Sequence, residues 1–108
     1  MTALSPAAEY ARAQLFFDSK AFADAALILE PLVAAEPDQL AARLLLARSY
    51  YHSAQLTKAA AELRRVLEQD PTESYAQLML GRTLERQGRD AEARPHLRLA
   101  AAMTDAYA

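Results

Sequence analysis

The chain has 108 residues with 12 basic and 14 acidic side chains, a formal net charge of -2, and no cysteine. That balance argues against a nucleic-acid binder held by phosphate contacts, which shows a marked basic excess; the missing thiols exclude a disulfide framework, a thiolate nucleophile and a thiolate zinc site. The length supports one domain with a modest core, and alanine at roughly a quarter of the residues, with only two glycines, favours helix and no strand.

The first segment, MTALSPAAEYARAQ, lacks the basic and apolar regions of a secretory leader, and no run approaches the roughly 18 apolar residues of a membrane span. A soluble, cytoplasmic protein is the expectation. Helix 1 should open at Ser5 as N-cap, with Pro6 at the first helical position, and run to about Ser19. A second helix is predicted near 21–35 and a third near 38–53, with Pro37 ending one and Asp38 capping the next. The fourth (56–69) and fifth (73–87) meet at a similar joint, Pro71 followed by Thr72 as N-cap. Gly88 suits a left-handed stop and Asp90 an N-cap for the sixth helix, 91–105. Pro95 lies about one turn into that helix, where it deletes a backbone hydrogen bond and predicts a slight bend or a late start.

The joints repeat because the whole chain does. AAEPDQLAARLLLAR at 34–48 and EQDPTESYAQLMLGR at 68–82 share a layout at an offset of 34 residues. In the same register stand Ala13, Ala47 and Gly81; Phe16, Tyr50 and Leu84; Ala25, Ala59 and Ala93; Leu29, Leu63 and Leu97; and Leu32, Val66 and Ala100. Small residues midway along each first helix and early in each second helix let two backbones approach closely, while the larger apolar columns fill the space between them.

Three units of 34 residues with this pattern of small, aromatic and proline positions resemble tetratricopeptide repeats over about residues 6–107. LMLGRTLERQGRDAEARPHLRLA, in the third unit, carries the pattern best, with Leu80, Gly81, Gly88, Ala93, Leu97 and Ala100. The first unit departs most, with Arg12 where leucine is usual and Lys20 where glycine is common; Glu9, Arg43 and Gln77 stand where the family often has tryptophan. The resemblance implies an all-α, right-handed solenoid of three antiparallel hairpins, a single domain of units at about 6–39, 40–73 and 74–107. It also implies a concave face lined by the first helix of each pair and used as a peptide-binding groove. The family's carboxylate-gripping version uses lysine and asparagine at first-helix positions occupied here by Tyr10, Gln14, Arg48 and Leu78, so that activity is not implied.

First-helix residues outside the core columns give the groove candidates Gln14, Phe17 and Asp18; Arg48, Tyr51 and His52; and Arg82, Glu85 and Arg86, with Ala7, Ala41 and Tyr75 at the entrance. Arginine forks match carboxylates in geometry, so a protein or peptide of acidic character is the expected partner. The competing structural reading is a solvated face, with Glu85 paired to Arg89 four residues on.

Catalytic and metal chemistry have little footing. His52 and His96 do not converge, Glu62 with Glu68 and Glu85 with Asp90 read as solvated pairs, Ser49 and Ser53 lack a placed base, and both glycines are explained by packing and helix termination. No catalytic residue, metal or cofactor is expected. An alternative function is association through the terminal helices. Ala26 and Ala60 give way to Arg94, and Val33 and Leu67 to Ala101, a modest polar cap. Leu99, Ala100, Ala101, Ala102, Met103 and Tyr107 nevertheless leave an apolar strip, which predicts a homodimer through Leu99, Ala102, Met103 and Tyr107.

Overall fold

A computed structural model describes residues 4–105, the side chains through Thr104. Six helices follow one another: α1 (Pro6–Asp18), α2 (Phe22–Ala35), α3 (Leu40–His52), α4 (Leu56–Gln69), α5 (Ser74–Arg86) and α6 (Asp90–Asp105), with no strand among the described residues. Each helix packs on the next. Beyond that, α1 touches α3 and α3 touches α5, while α1 meets neither α5 nor α6, so the helices form an open row and not a closed bundle. α2, α4 and α6 do not touch one another. The row therefore curves with α1, α3 and α5 on its inner side.

The small-residue columns produce this packing. Ala13, Ala25, Ala47 and Ala59 are completely buried, and Ala93 nearly so. At Gly81 a Cβ would stand 2.5 Å from Leu97 Cδ2, so α5 and α6 approach as closely as the missing side chain permits. Leu29, Leu63, Leu84 and Tyr50 fill the interior, with Phe16 and Leu97 half-buried at its margins.

The three hairpin turns are built alike. Lys20, Ala54 and Gly88, one register column, hold φ of 64°, 62° and 75°. In each, this residue and the next donate to carbonyls of the preceding turn, Lys20 to Phe17 (2.9 Å) and Ala21 to Phe16 (2.8 Å), with the same pattern at Ala54–Gln55 and Gly88–Arg89. This is a Schellman closure, for which glycine is the least strained residue.

The joints between hairpins differ in detail from expectation. Ser5 caps α1, its hydroxyl accepting from Ala8 N–H at 3.2 Å. Asp38 and Thr72 do not cap; Gln39 and Glu73 hold those places. The reason is an intervening turn at each joint, Gln39 N–H donating to the Glu36 carbonyl (3.1 Å) and Glu73 N–H to the Asp70 carbonyl (3.2 Å); at the second joint Asp70 Oδ1 also accepts from Thr72 N–H (3.0 Å) and hydroxyl (2.6 Å). Asp90 is the first helical residue, so α6 does not start late despite Pro95. Pro95, and Pro31 within α2, both face solvent, where water can satisfy the carbonyl each leaves free.

Candidate functional site

On the inner side a strip of stacked rings and guanidinium groups crosses all three hairpins. Arg48, midway along α3, lies 4.6 Å over the Phe17 ring of α1 and 5.7 Å over the Tyr75 ring of α5. Phe17 meets His52 edge-on at 5.7 Å, and His52 stacks on Phe22 at 4.6 Å and meets Tyr51 edge-on at 5.3 Å. Arg86 completes the strip, 4.7 Å over the Tyr51 ring, with its Nη1 donating to the Tyr51 carbonyl at 2.9 Å.

The electrostatics follow from that arrangement. Neither Arg48 nor Arg86 forms an ion pair among the described residues, and the buried Arg48 Nε has no hydrogen-bond acceptor. Both guanidinium groups are oriented by rings instead of carboxylates, so their charge is left to act on whatever approaches. His52 registers the field: partial burial, then Arg48 and Arg86, hold its pKa below the usual histidine value.

The remaining candidates divide. Tyr51 and Arg86 belong to this strip, while Phe17 is only 9% exposed and serves as floor, because its ring packs on Phe22 at 5.0 Å. Arg82 is held by Glu85 at 3.8 Å, an exposed pair outside the strip. Arg89 pairs with Glu92 and not with Glu85, since the turn at Gly88 takes it off α5 and onto the approach to α6. Gln14 is half-buried and Asp18 exposed; neither makes a side-chain hydrogen bond or ion pair among the described residues.

Near the start of α3 an apolar cavity of about 440 Å³ lies between α1, α2 and α3, with Ala7 and Tyr10 of α1, Leu32 and Ala35 of α2, and Ala41 and Ala42 of α3 in its wall. A shallower cleft of about 600 Å³ lies at the other end of the row, between α5 and α6, lined in part by Leu78, Leu97, Ala100 and Ala101. Leu99 is 45% exposed, Ala102 exposed and Met103 half-buried, while Tyr107 lies outside the described residues. Leu99 stands roughly 200° round the helix from Leu97, so it and the cleft occupy different sides of α6.

A second polar feature was not read from the sequence. Arg43 is 4% exposed, its Nη1 2.6 Å from Glu62 Oε2 and its Nη2 donating to the Pro37 carbonyl at 3.1 Å. Glu62 is thus engaged with a buried cation and is not a solvated acid. One register later the same two positions hold Gln77 and His96, joined at 2.8 Å through His96 Nδ1. Offsetting pairs of positions by 34 residues, instead of single columns, would have exposed this link between first and second helices. Behind it Tyr50 is pushed up to about 12 by burial and by Glu30 and Glu62. Among the described residues no group of three or more His, Asp or Glu side chains is placed to hold a metal ion, and no helix is long and apolar enough to cross a membrane.

Residues 16–79 and 53–108 each match a family model described as tetratricopeptide repeat. No curated protein matches the chain. Among solved structures, MamA AMB-1 superposes with a TM-score of 0.90 at 18% identity, covering 94% of this chain and 60% of that one. MamA from Desulfovibrio magneticus RS-1, residues 41 to the end, gives 0.85 at 25% identity, covering 92% and 56%. The chain therefore spans less than two thirds of those two structures. With a family model over more than half the sequence and the small-residue columns packed as the repeat requires, the chain belongs to the tetratricopeptide repeat family, whose members are generally non-catalytic interaction and scaffold modules.

Proposed function

We propose that this protein is a non-catalytic module that holds an acidic peptide or protein segment against the inner face of α1, α3 and α5. The observation that carries the reading is that Arg48 and Arg86 are positioned by aromatic rings and, among the described residues, have no carboxylate partner. A carboxylate arriving there displaces no internal ion pair and gains charge-assisted hydrogen bonds, each worth about 1.5–3 kcal/mol when desolvated. Tyr75 and Tyr51 supply apolar surface beside the charges.

The test is fluorescence anisotropy with a labelled acetyl-AAAEEE-amide peptide. Binding that weakens at least tenfold in the Arg48→Gln/Arg86→Gln variant, and that falls with added salt, supports the reading. Binding unchanged by both counts against it.

A second reading, association through the last helices, is favoured by exposed Leu99 and Ala102 on α6. It takes the form of a homodimer involving Leu99, Ala102, Met103 and Tyr107. Sedimentation at high micromolar concentration should then show a dimer that Leu99→Glu dissociates; a monomer at that concentration removes this reading.

A further inference from the structure

The 440 Å³ cavity at the start of α3 borders the first core, with which it shares Tyr10, Leu32 and Ala42. Resting on the inner-face reading above, we infer that it is an anchor subsite for one large apolar or aromatic side chain of the same acidic segment. The partner is thereby specified as a stretch in which such a residue lies about three to five positions from its carboxylates.

Three observations converge on this. The cavity shares Ala41 with the register row that continues to Arg48 and Tyr51 on α3, so an occupant of one lies along the helix from the other. Its wall is made of Ala7, Tyr10, Leu32, Ala35, Ala41 and Ala42, a size suited to a single bulky side chain. Pro6, Glu36 and Gln39 complete the lining, and the Glu36 carboxylate disfavours an acidic side chain there, which sends the partner's acids toward the arginines.

The register explains why the space is vacant in one place and not in the next. Position 41 is alanine, whereas the same position one repeat later is Tyr75, whose ring the chain lays beside Arg48. A partner's aromatic group therefore supplies at the first joint what the protein supplies for itself at the second. Arg48 lies seven residues beyond Ala41 on α3, about 10 Å along the axis, which an extended chain covers in about three residues. Tyr51, under Arg86, lies about 15 Å along, or four to five residues. This distance sets the spacing between anchor and acids.

The 34-residue column supplies the variant: Ala41→Tyr reproduces the residue the protein already carries at Tyr75. Labelled acetyl-YAAEEE-amide, its reversed sequence EEEAAY, and acetyl-AAAEEE-amide are titrated against wild type, Ala41→Tyr and Ala7→Glu, with circular dichroism confirming helical content. The inference predicts that one of the two tyrosine peptides binds wild type roughly tenfold or more tighter than AAAEEE. It also predicts that Ala41→Tyr and Ala7→Glu each abolish that advantage, read as the ratio of the tyrosine peptide's affinity to that of AAAEEE in the same variant. Equal binding of all three peptides to wild type, or an advantage that survives Ala41→Tyr, overturns the anchor but leaves the arginine face intact. Failure of all three peptides to bind overturns both readings.

Discussion

Arg86 reaches back from the end of α5 so that its guanidinium covers the Tyr51 ring at 4.7 Å while Nη1 donates to the Tyr51 carbonyl at 2.9 Å. One side chain thus caps the end of α3, fixes the Tyr51 ring of the inner-face strip and leaves a positive charge above it. Because the group is exposed, Arg86→Ala should cost only about 0.5–1 kcal/mol of stability. Arg86→Lys should recover little of it, since an ammonium lacks the planar fork that serves ring and carbonyl together. Urea denaturation of the three proteins measures both.

The Arg43–Glu62 link makes a different prediction. Glu62→Leu leaves the Arg43 charge buried with only the Pro37 carbonyl as partner, and should destabilise by about 2–4 kcal/mol. Arg43→Met/Glu62→Leu removes both charges and should be more stable than Glu62→Leu alone. A double variant no better than the single one would mean that Glu62 contributes through packing.

The hairpin turns carry removable strain. Lys20 and Ala54 adopt the positive φ that Gly88 adopts freely, so Lys20→Gly and Ala54→Gly should each stabilise by about 1 kcal/mol, and Gly88→Ala should cost about as much. Gly81→Ala fails for a steric reason, its Cβ meeting Leu97 Cδ2 at 2.5 Å, and should cost about 1–3 kcal/mol. Thermal unfolding of the four variants separates turn strain from overpacking.

Stability should fall mildly in acid before the carboxylates titrate. His96 is held below the usual histidine pKa by burial and then by Arg64, and its Nδ1–H donates to Gln77 Oε1. His52 is lowered by burial, Arg48 and Arg86. With both lowered, the unfolded chain takes up protons first as pH drops below about 6.5. Stability is therefore full above that pH, declines below it, and levels off once the folded-state values are passed. The His52→Gln/His96→Gln variant should show a flatter urea midpoint between pH 7.5 and 5 than wild type. An equal slope in both proteins contradicts the assignment.

Much of this was legible from single columns. Ala13, Ala47 and Gly81 had to be buried because only small residues recur there, and Arg48, Tyr51 and Arg86 fell on the inner face by exclusion from those columns. What the columns could not convey is contact between columns. The Arg48 contacts join Phe17, Arg48 and Tyr75 from three repeats, and Arg43–Glu62 joins a first helix to a second. Phe17 read as a groove residue for the same reason: its burial depends on Phe22, across the turn, and not on its own helix. The caps were misplaced because Asp38 and Thr72 are good capping residues by type, while the turns after Pro37 and Pro71 delay the helices.

We propose that the inner face binds acidic segments through Arg48 and Arg86. Amide chemical-shift mapping of the labelled protein, titrated with acetyl-AAAEEE-amide at low salt, tests it most directly. Perturbations concentrated at Arg48, Tyr51, His52, Tyr75 and Arg86 are the predicted result. Perturbations on the outward faces of α2, α4 and α6, or none at millimolar peptide, would contradict it.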